Sequence, residues 1–293
     1  MRHPVRSCSR GRVAAGRGGR GHGRAGTVVT GVDVHAHVLA EDTVAVTGAG
    51  YRPFAAPVGD YLRHLGAVGL SRGVLVNPSA YGQDHTVLLA ALRAHPDRLR
   101  GVAVLPSTVE SSTVEELHAA GVRAVRVQDR LAGGLPVAEL PAWLPRLAEL
   151  GWHAEVWTDL AEHGDTVLAA VESARVPVLL DHLGNLPPGD EGTATLLRLL
   201  DAGPCWVTLS GAYRLAPGLA EAGAAARLAD RVAAVLDAAP DRVVWGSDWP
   251  YVAPPGPVPA AADHRAVLDA WLPDPRVRER VLQDNPAVLY DWG

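Results

Sequence analysis

The chain contains no lysine, so all 27 of its basic residues are arginines. This absence excludes a lysine-dependent phosphate loop, Schiff-base chemistry and a metal centre bridged by a carbamylated lysine. The two cysteines, Cys8 and Cys205, are too few for a disulfide framework or a thiolate zinc site. No apolar run approaches the roughly 20 residues of a transmembrane helix. These absences favour a cytoplasmic protein without a membrane partner.

Charge is divided unevenly between the first 26 residues and the rest of the chain. Residues 1–26 hold seven arginines, seven glycines and no acidic residue, which leaves 20 basic and 32 acidic residues elsewhere, a net charge of −12. An acidic body argues against nucleic acid as the main partner. Because residues 1–26 lack hydrophobic periodicity, we predict a disordered basic extension there, followed by one domain over residues 27–293.

Short β-branched runs alternate with longer helical stretches from Thr27 onward. We predict strands near Val28–His37, Arg72–Asn77, Gly101–Leu105, Val122–Val127, Trp152–Trp157, Val178–His182, Trp206–Ser210 and Val243–Asp248. Eight strands alternating with eight helical segments, in a chain that is 48% hydrophobic, predict an α/β fold, a single-domain (β/α)8 TIM barrel. A doubly wound sheet is the alternative, but no glycine-rich phosphate loop follows the first strand.

Polar residues stand where four of these strands end, which is where a TIM barrel carries its chemistry. The first strand ends in Asp33–His37, the fourth at Arg126, the sixth at His182 and the eighth at Asp248. Each residue alone also has a structural interpretation: Asp248 can cap a turn, and Arg126 can pair with an acid. Imidazoles and a carboxylate that converge from separate strands nevertheless predict a functional site at the barrel mouth.

Strand alternation predicts which way the two histidines of the first strand point. Asp33, His35 and His37 share one face, which we expect to line the barrel lumen. The residues between and beside them share the other face, which we expect to pack against the helices: Val32, Val34, Ala36 and Val38.

Together and in this order, these segments resemble the amidohydrolase superfamily, in the branch related to 2-pyrone-4,6-dicarboxylate lactonase. The resemblance extends from Gly31 to Trp292 and rests on Asp33–His37, Gly121–Arg126, Gly151–His153, Asp181–Gly184, Asp241–Pro250 and Asn285–Pro286. It implies hydrolysis of a cyclic ester, with Asp248 as the general base that activates water. His35, His37 and His182 match the imidazoles that stabilise the carbonyl oxygen. Arg126, Arg214 and Ser79 match substrate contacts, and Arg130 and Tyr251 are added as candidates.

Departures from the family pattern bear on the substrate. Asn185 stands where the family has an arginine, and Tyr251 stands where it has a histidine. Gln128 and Trp157 replace an asparagine and a tyrosine. An anion contact and an imidazole are therefore lost, which favours a lactone with one carboxylate, or a neutral sugar lactone, over a dicarboxylate.

Metal dependence is a separate question. Metal-dependent members carry a histidine after the fifth strand, whereas His153 lies at the opposite end of that strand and is expected to be structural. Zinc would be left with His35, His37, His182 and Asp248 as ligands. Since the closer resemblance is to the metal-free branch, we expect no cofactor, with one divalent metal such as zinc as the alternative.

The sequence therefore favours a lactone-opening hydrolase whose partner is a small lactone or cyclic acid. A metal-dependent amidohydrolase or decarboxylase, a sugar lactonase and a non-catalytic barrel that binds a small acid remain as alternatives. The oligomeric state, including a homodimer, is left open.

Overall fold

The computed structural model describes residues 31–254 and 258–292. The basic extension expected at residues 1–26 lies outside these ranges, as does the predicted start of the first strand before residue 31. Within the described ranges, no helix is long and apolar enough to cross a membrane.

Eight parallel strands, each followed by one or more helices, form the described chain. The strands are β1 (Val32–Ala36), β2 (Arg72–Val76), β3 (Leu99–Ala103), β4 (Val122–Gln128), β5 (His153–Trp157), β6 (Val178–Leu180), β7 (Cys205–Leu209) and β8 (Val243–Trp245). The helices are α1 (Val58–Val68), α2 (Thr86–Ala94), α3 (Ser111–Ala119), α4 (Leu140–Leu150), α5 (Leu160–Ser173), α6 (Asp190–Ala202), α7 (Ala212–Leu215), α8 (Glu221–Ala238), α9 (Ala261–Trp271), α10 (Pro275–Glu279) and α11 (Asn285–Tyr290).

The sheet closes into a barrel. Neighbouring strands pair in chain order from β1 to β8. β1 and the segment after β8 meet through the backbone, because His37 donates its N–H to the Trp249 carbonyl at 2.7 Å and Asp248 donates to the His35 carbonyl at 2.8 Å. This arrangement confirms the (β/α)8 TIM barrel.

Helix α1 shows how the sequence determines a helix and its end. In α1 the buried residues Tyr61, His64, Leu65 and Val68 recur at helical spacing and turn one face to the barrel. Gly69 ends this helix at φ 84°, a left-handed conformation in which glycine has no steric penalty. The short helix α7 was not expected, because four residues are too few for a periodic pattern.

Two apolar layers hold the barrel together. The outer layer lies between the strands and the helices, and the inner layer fills the lumen. The inner layer consists of Val32, Val34, Val74, Val76, Val102, Ala124, Leu179, Trp206 and Val244, together with Leu289, Tyr290 and Trp292 from the C-terminal segment. We call all twelve residues of this inner layer the barrel floor.

The faces of β1 differ from the expectation. Its register against β2 shifts between Asp33 and Ala36, so simple alternation fails there. Val32 and Val34 pack in the lumen, whereas Ala36 packs against the helix layer. The prediction that these residues share one face is therefore wrong. Asp33 instead accepts hydrogen bonds from the Ser247 N–H at 2.8 Å and the Ser247 hydroxyl at 2.6 Å.

Candidate active site

The strand ends enclose a small cavity at the barrel mouth. It is lined by His37, Tyr51, Ser79, Arg126, Leu131, Trp157, His182, Arg214, Asp248 and Val252. The ring of His35 lies beside it, 5.2 Å from the His37 ring and 4.9 Å from the His182 ring. The cavity volume is about 10 Å³, close to the smallest space that holds one water molecule.

Asp248 has two differently placed carboxylate oxygens. Oδ2 accepts from the Tyr213 hydroxyl and from Arg214 Nε, both at 2.6 Å. Oδ1 is buried without a hydrogen bond among the described residues and lies 3.6 Å from His37 Nε2 and 3.8 Å from His35 Nε2. Burial raises the pKa of Asp248, but Arg214 and the histidines outweigh it and hold the pKa well below its usual value. Asp248 is thus an ionised carboxylate with one oxygen available.

Two of the site residues occupy unusual backbone conformations. Asp248 has φ 60° and His182 has φ 52°, both in the left-handed region. Non-glycine residues adopt such angles at an energetic cost and cluster at functional sites. The turns that follow β6 and β8 thus aim these two side chains into the mouth.

The hydrogen bond of His37 determines its tautomer. Nδ1 lies 2.8 Å from the Val76 carbonyl oxygen, and because a carbonyl only accepts, Nδ1 must be the donor. Burial lowers the pKa of His37, so the ring is neutral near pH 7. Its Nε2 is then an acceptor that points towards Asp248 Oδ1.

His182 is also a neutral ring. Its Nδ1 lies 2.8 Å from the Ser210 hydroxyl, which can donate or accept. Burial lowers the pKa of His182 to about 3, and the Asp248 carboxylate only partly opposes this effect.

His35 differs from the other two imidazoles because it faces Asp181. Its Nδ1 lies 3.4 Å from Asp181 Oδ1. Burial lowers the pKa of His35, but the carboxylates of Asp181 and Asp248 outweigh it, so the net shift is upward. His35 is therefore the imidazole of the mouth that holds a proton most readily, and a protonated ring donates from both nitrogens.

Arg126 and Arg214 are both bonded to carboxylates of the protein. Arg126 places Nε at 2.9 Å and Nη2 at 2.8 Å from Asp181 Oδ2. Arg214 bonds to Asp248 and also donates from Nη2 to the Val252 carbonyl at 2.7 Å. Both guanidinium groups lie over the Trp157 ring, at 5.4 and 5.8 Å from its centre. Trp157 thus supports the two cations side by side.

Two predicted site residues do not line the cavity. Arg130 forms an ion pair with Asp159 at 2.8 Å, and both side chains are partly exposed. The Tyr251 hydroxyl is 2.6 Å from His264 Nε2, and the Tyr251 ring stacks on the His264 ring. Ser79, in contrast, does line the cavity.

Sequence reasoning missed three contributors to the site. Asp181 adjoins His182 at the end of the sixth strand, where it could fix the tautomer of a ring, but its pairing with Arg126 and His35 has no signal in the sequence. Tyr213 precedes Arg214 on the unexpected helix α7, and Tyr51 comes from the long loop after β1. Neither tyrosine stands in a pattern that marks it as functional.

Two groups of side chains in the described part of the chain could hold a metal ion: one consists of His35, Glu155 and Asp181, and the other lies at the cavity. His35, His182 and Asp248 each offer a ligand atom, and these atoms lie within 4.8 Å of one another. Two of the candidate atoms, His35 Nε2 and Asp248 Oδ1, are buried without a hydrogen bond among the described residues. Imidazole nitrogen and carboxylate oxygen are zinc ligands, so these three residues fit a divalent cation. His37, expected as a fourth ligand, is not part of this group.

Comparison with known proteins places the chain in a family. Residues 32–292 match the family model described as amidohydrolase, so the chain belongs to the amidohydrolase family. This match confirms the superfamily suggested by the strand-end motifs.

Individual relatives agree with this membership over most of their length. The chain is similar to D-galactarolactone isomerase of Agrobacterium fabrum, at 29% identity over 88% of this chain and 90% of the relative. It is also similar to 4-sulfomuconolactone hydrolase of Hydrogenophaga intermedia, at 28% identity over 88% of each chain. A solved structure from Pseudomonas putida, described as a candidate 2-pyrone-4,6-dicarboxylic acid hydrolase, aligns with a TM-score of 0.77 and 32% identity, over 90% of this chain and 98% of that one.

Proposed function

We propose that this protein is a hydrolase that opens a small lactone by adding water to its carbonyl carbon. One observation carries the proposal: Asp248 Oδ1 and His37 Nε2, two acceptors 3.6 Å apart, face each other at the cavity without a direct hydrogen bond. A water molecule that donates to both would satisfy them and present its lone pair to a substrate. The similarity to lactone-acting relatives agrees with this chemistry.

Asp248 takes up and returns the one proton that moves in the reaction. The water oxygen attacks the lactone carbonyl carbon while Asp248 Oδ1 takes one water proton. The tetrahedral intermediate then breaks the ring C–O bond, and Asp248 returns that proton to the leaving oxygen. The Tyr213 and Arg214 hydrogen bonds to Oδ2 keep the carboxylate oriented throughout. The products are a carboxylic acid and a hydroxyl group, or its keto form, in one opened molecule.

The developing negative charge on the carbonyl oxygen needs a donor. Among the three imidazoles, a protonated His35 can donate from Nε2 while Asp181 holds Nδ1. A neutral His37 cannot serve as this donor, because its one N–H proton, on Nδ1, is donated to the Val76 carbonyl. We therefore assign oxyanion stabilisation to His35, with His182 beside it, and water orientation to His37. Arg126, Arg214 and Ser79 would contact the rest of the substrate.

We further propose that the reaction runs without a metal. Arg214 Nε is 2.6 Å from Asp248 Oδ2, so the charge of this carboxylate is already compensated. A cation would also require His35 to give up the proton that Asp181 stabilises. If a divalent ion does bind, His35, His182 and Asp248 would hold it, and it would supply Lewis-acid polarisation of the carbonyl.

Lactone isomerisation is a second candidate. The relative from Agrobacterium fabrum is a lactone isomerase, and the cavity of about 10 Å³ has room for about one water molecule. A hydroxyl of the substrate could take the place of that water and attack the carbonyl. Asp248 would then take the proton from that hydroxyl.

A panel of small lactones tests the proposal. The panel contains five- and six-membered lactones with no, one or two carboxylates, together with a matched lactam and an aromatic carboxylic acid. We expect ring opening of a lactone with a mass gain of one water, and no release of carbon dioxide. A product of unchanged mass with a moved ring would establish isomerisation. Turnover of the lactam or the aromatic acid alone would overturn the lactonase assignment.

A further inference from the structure

We propose that the site accepts lactones with at most one carboxylate, and that Leu131 is the residue that sets this limit. The inference rests on the proposed lactone hydrolysis and specifies its substrate class. Two observations support the inference: the charged groups around the cavity are paired with one another, and the loop after β4 turns Leu131 towards the cavity.

The charges around the cavity nearly cancel. Arg126 is bonded to Asp181 and Arg214 is bonded to Asp248, and all four side chains are nine-tenths buried or close to it. These four groups sum to zero, so a substrate carboxylate meets no unpaired guanidinium group and relies on the remaining N–H groups of Arg126 and Arg214. One carboxylate beside these two side chains can be satisfied by them, whereas a second would be a buried charge without a partner. Among the described residues that line the cavity, no further cation is available.

The loop after β4 turns an arginine away from the cavity. Arg130 points outward to Asp159, with about a third of its side chain exposed. The next residue, Leu131, points inward and lines the cavity. The aliphatic side chain of Leu131 therefore lines the cavity at a place where the adjacent Arg130 could have put a guanidinium group.

Leu131 is held in this orientation by Gln128. The Gln128 amide donates to the Leu131 carbonyl at 2.9 Å, and its oxygen accepts from the Leu131 N–H at 3.0 Å. The other side of Leu131 packs on Gly50, where a Cβ atom would come within 2.6 Å of a Leu131 methyl group. The Gln128 hydrogen bonds and the Gly50 contact thus hold Leu131 in its inward position.

The cavity wall has an apolar component that suits such a substrate. Leu131 and Val252 present aliphatic surface, and Trp157 presents an indole ring. We therefore expect a ring substituent without charge to lie against Leu131, with the single carboxylate near Arg126 and Arg214.

The first arm of the test uses the unaltered protein. The kcat/KM values are measured for two lactones with the same ring that differ only in the second carboxylate. We expect a preference of about 100-fold or more for the monocarboxylate. An equal or better rate with the dicarboxylate would overturn the charge limit and leave lactone hydrolysis standing. Absence of any lactone opening would instead overturn the proposed function.

The second arm adds a cation at the proposed position. Leu131→Arg is expected to shift the kcat/KM ratio towards the dicarboxylate by about tenfold or more. The matched control is Leu219→Arg, which adds the same charge at an exposed leucine outside the cavity lining. It should leave the ratio within about twofold. An unchanged ratio in folded Leu131→Arg would remove Leu131 as the determinant.

Two further variants keep the test decisive. If Leu131→Arg does not fold, Leu131→Lys brings the same charge in a slimmer side chain and decides the same question. Arg130→Gln tests the neighbouring residue. A selective loss of dicarboxylate turnover in Arg130→Gln would make Arg130 the anion contact and overturn the assignment to Leu131.

Discussion

The two ends of the barrel lumen differ in how their polar groups are arranged. At the floor, valines of the first strands pack against Leu289, Tyr290 and Trp292. At the mouth, His35 Nε2, Asp181 Oδ1 and Asp248 Oδ1 are buried without a hydrogen bond among the described residues. Unpartnered buried polar atoms cost stability. Such atoms also occur at the floor, at Trp292 Nε1 and on the adjacent His153 ring, but those at the mouth lie at or beside a cavity, where a ligand could contact them. The same strands thus provide stability at one end and chemistry at the other.

A polar layer separates these two ends. Glu155 on β5 accepts a hydrogen bond from the Tyr290 hydroxyl at 2.7 Å. His153 lies at the N-terminal end of β5, as the sequence predicted, with its ring against Tyr290 at 4.7 Å. A Glu155 carboxylate oxygen also lies within 4.8 Å of His35 and Asp181, whereas Tyr290 belongs to the floor. We therefore expect substitution of Tyr290 to affect folding and substitutions at the mouth to affect catalysis.

The largest expected effect is on catalysis, from Asp248→Asn. The change keeps the shape of the side chain but removes the proton acceptor, so kcat should fall by about 10²–10⁴-fold with the fold intact. The measurement is steady-state lactone hydrolysis, with circular dichroism to verify folding. Asp159→Asn is the matched control, because Asp159 is a partly exposed helix cap that asparagine can replace. A retained rate in Asp248→Asn would move the base role to a histidine.

Arg126→Met should affect both stability and catalysis. It leaves Asp181 buried and unpaired, which should lower the free energy of unfolding by about 3–5 kcal/mol. Neutral and acidic lactones should both lose kcat/KM, because Asp181 also lies beside His35, and acidic lactones should lose more, because their carboxylate is expected near Arg126. The double variant Arg126→Met/Asp181→Leu should recover stability but not activity. If only acidic lactones are affected and unfolding is unchanged, Arg126 contacts the substrate carboxylate but does not support Asp181 and His35.

The smallest of the three effects is expected at the floor. Tyr290→Phe removes the hydrogen bond to Glu155 and should cost about 1–3 kcal/mol of stability in chemical denaturation. Because the mouth is unchanged, kcat should stay within about twofold of the unaltered protein. A large fall in kcat at unchanged stability would show that the floor and the mouth are coupled.

Much of the fold could be predicted because it depends on periodic patterns. The eight strands and the long helices follow from alternating β-branched and helical segments, and all eight strands form where they were expected. The orientation of β1 could not be predicted, because the register shift between Asp33 and Ala36 depends on pairing with a distant strand.

The position of the candidate site could be predicted from the sequence, but the ion-pair and hydrogen-bond partners of its residues could not. His35, His37, His182, Asp248, Arg126, Arg214 and Ser79 meet at the mouth because the barrel brings strand ends together. The partners of the arginines depend on contacts between strands that alternation does not encode. The outward turn of Arg130 depends on a side-chain clamp from Gln128 to Leu131. The acceptor role of His37 depends on a backbone carbonyl of β2.

Asp248 is proposed to activate water without a metal. This role is tested most directly by chelating the purified protein, verifying that it carries well under one equivalent of zinc or manganese, and following lactone opening in water labelled with oxygen-18. We predict an unchanged rate and one labelled oxygen in the new carboxylate of the product. Loss of activity on chelation, restored by one equivalent of zinc, would contradict the claim and make His35, His182 and Asp248 metal ligands.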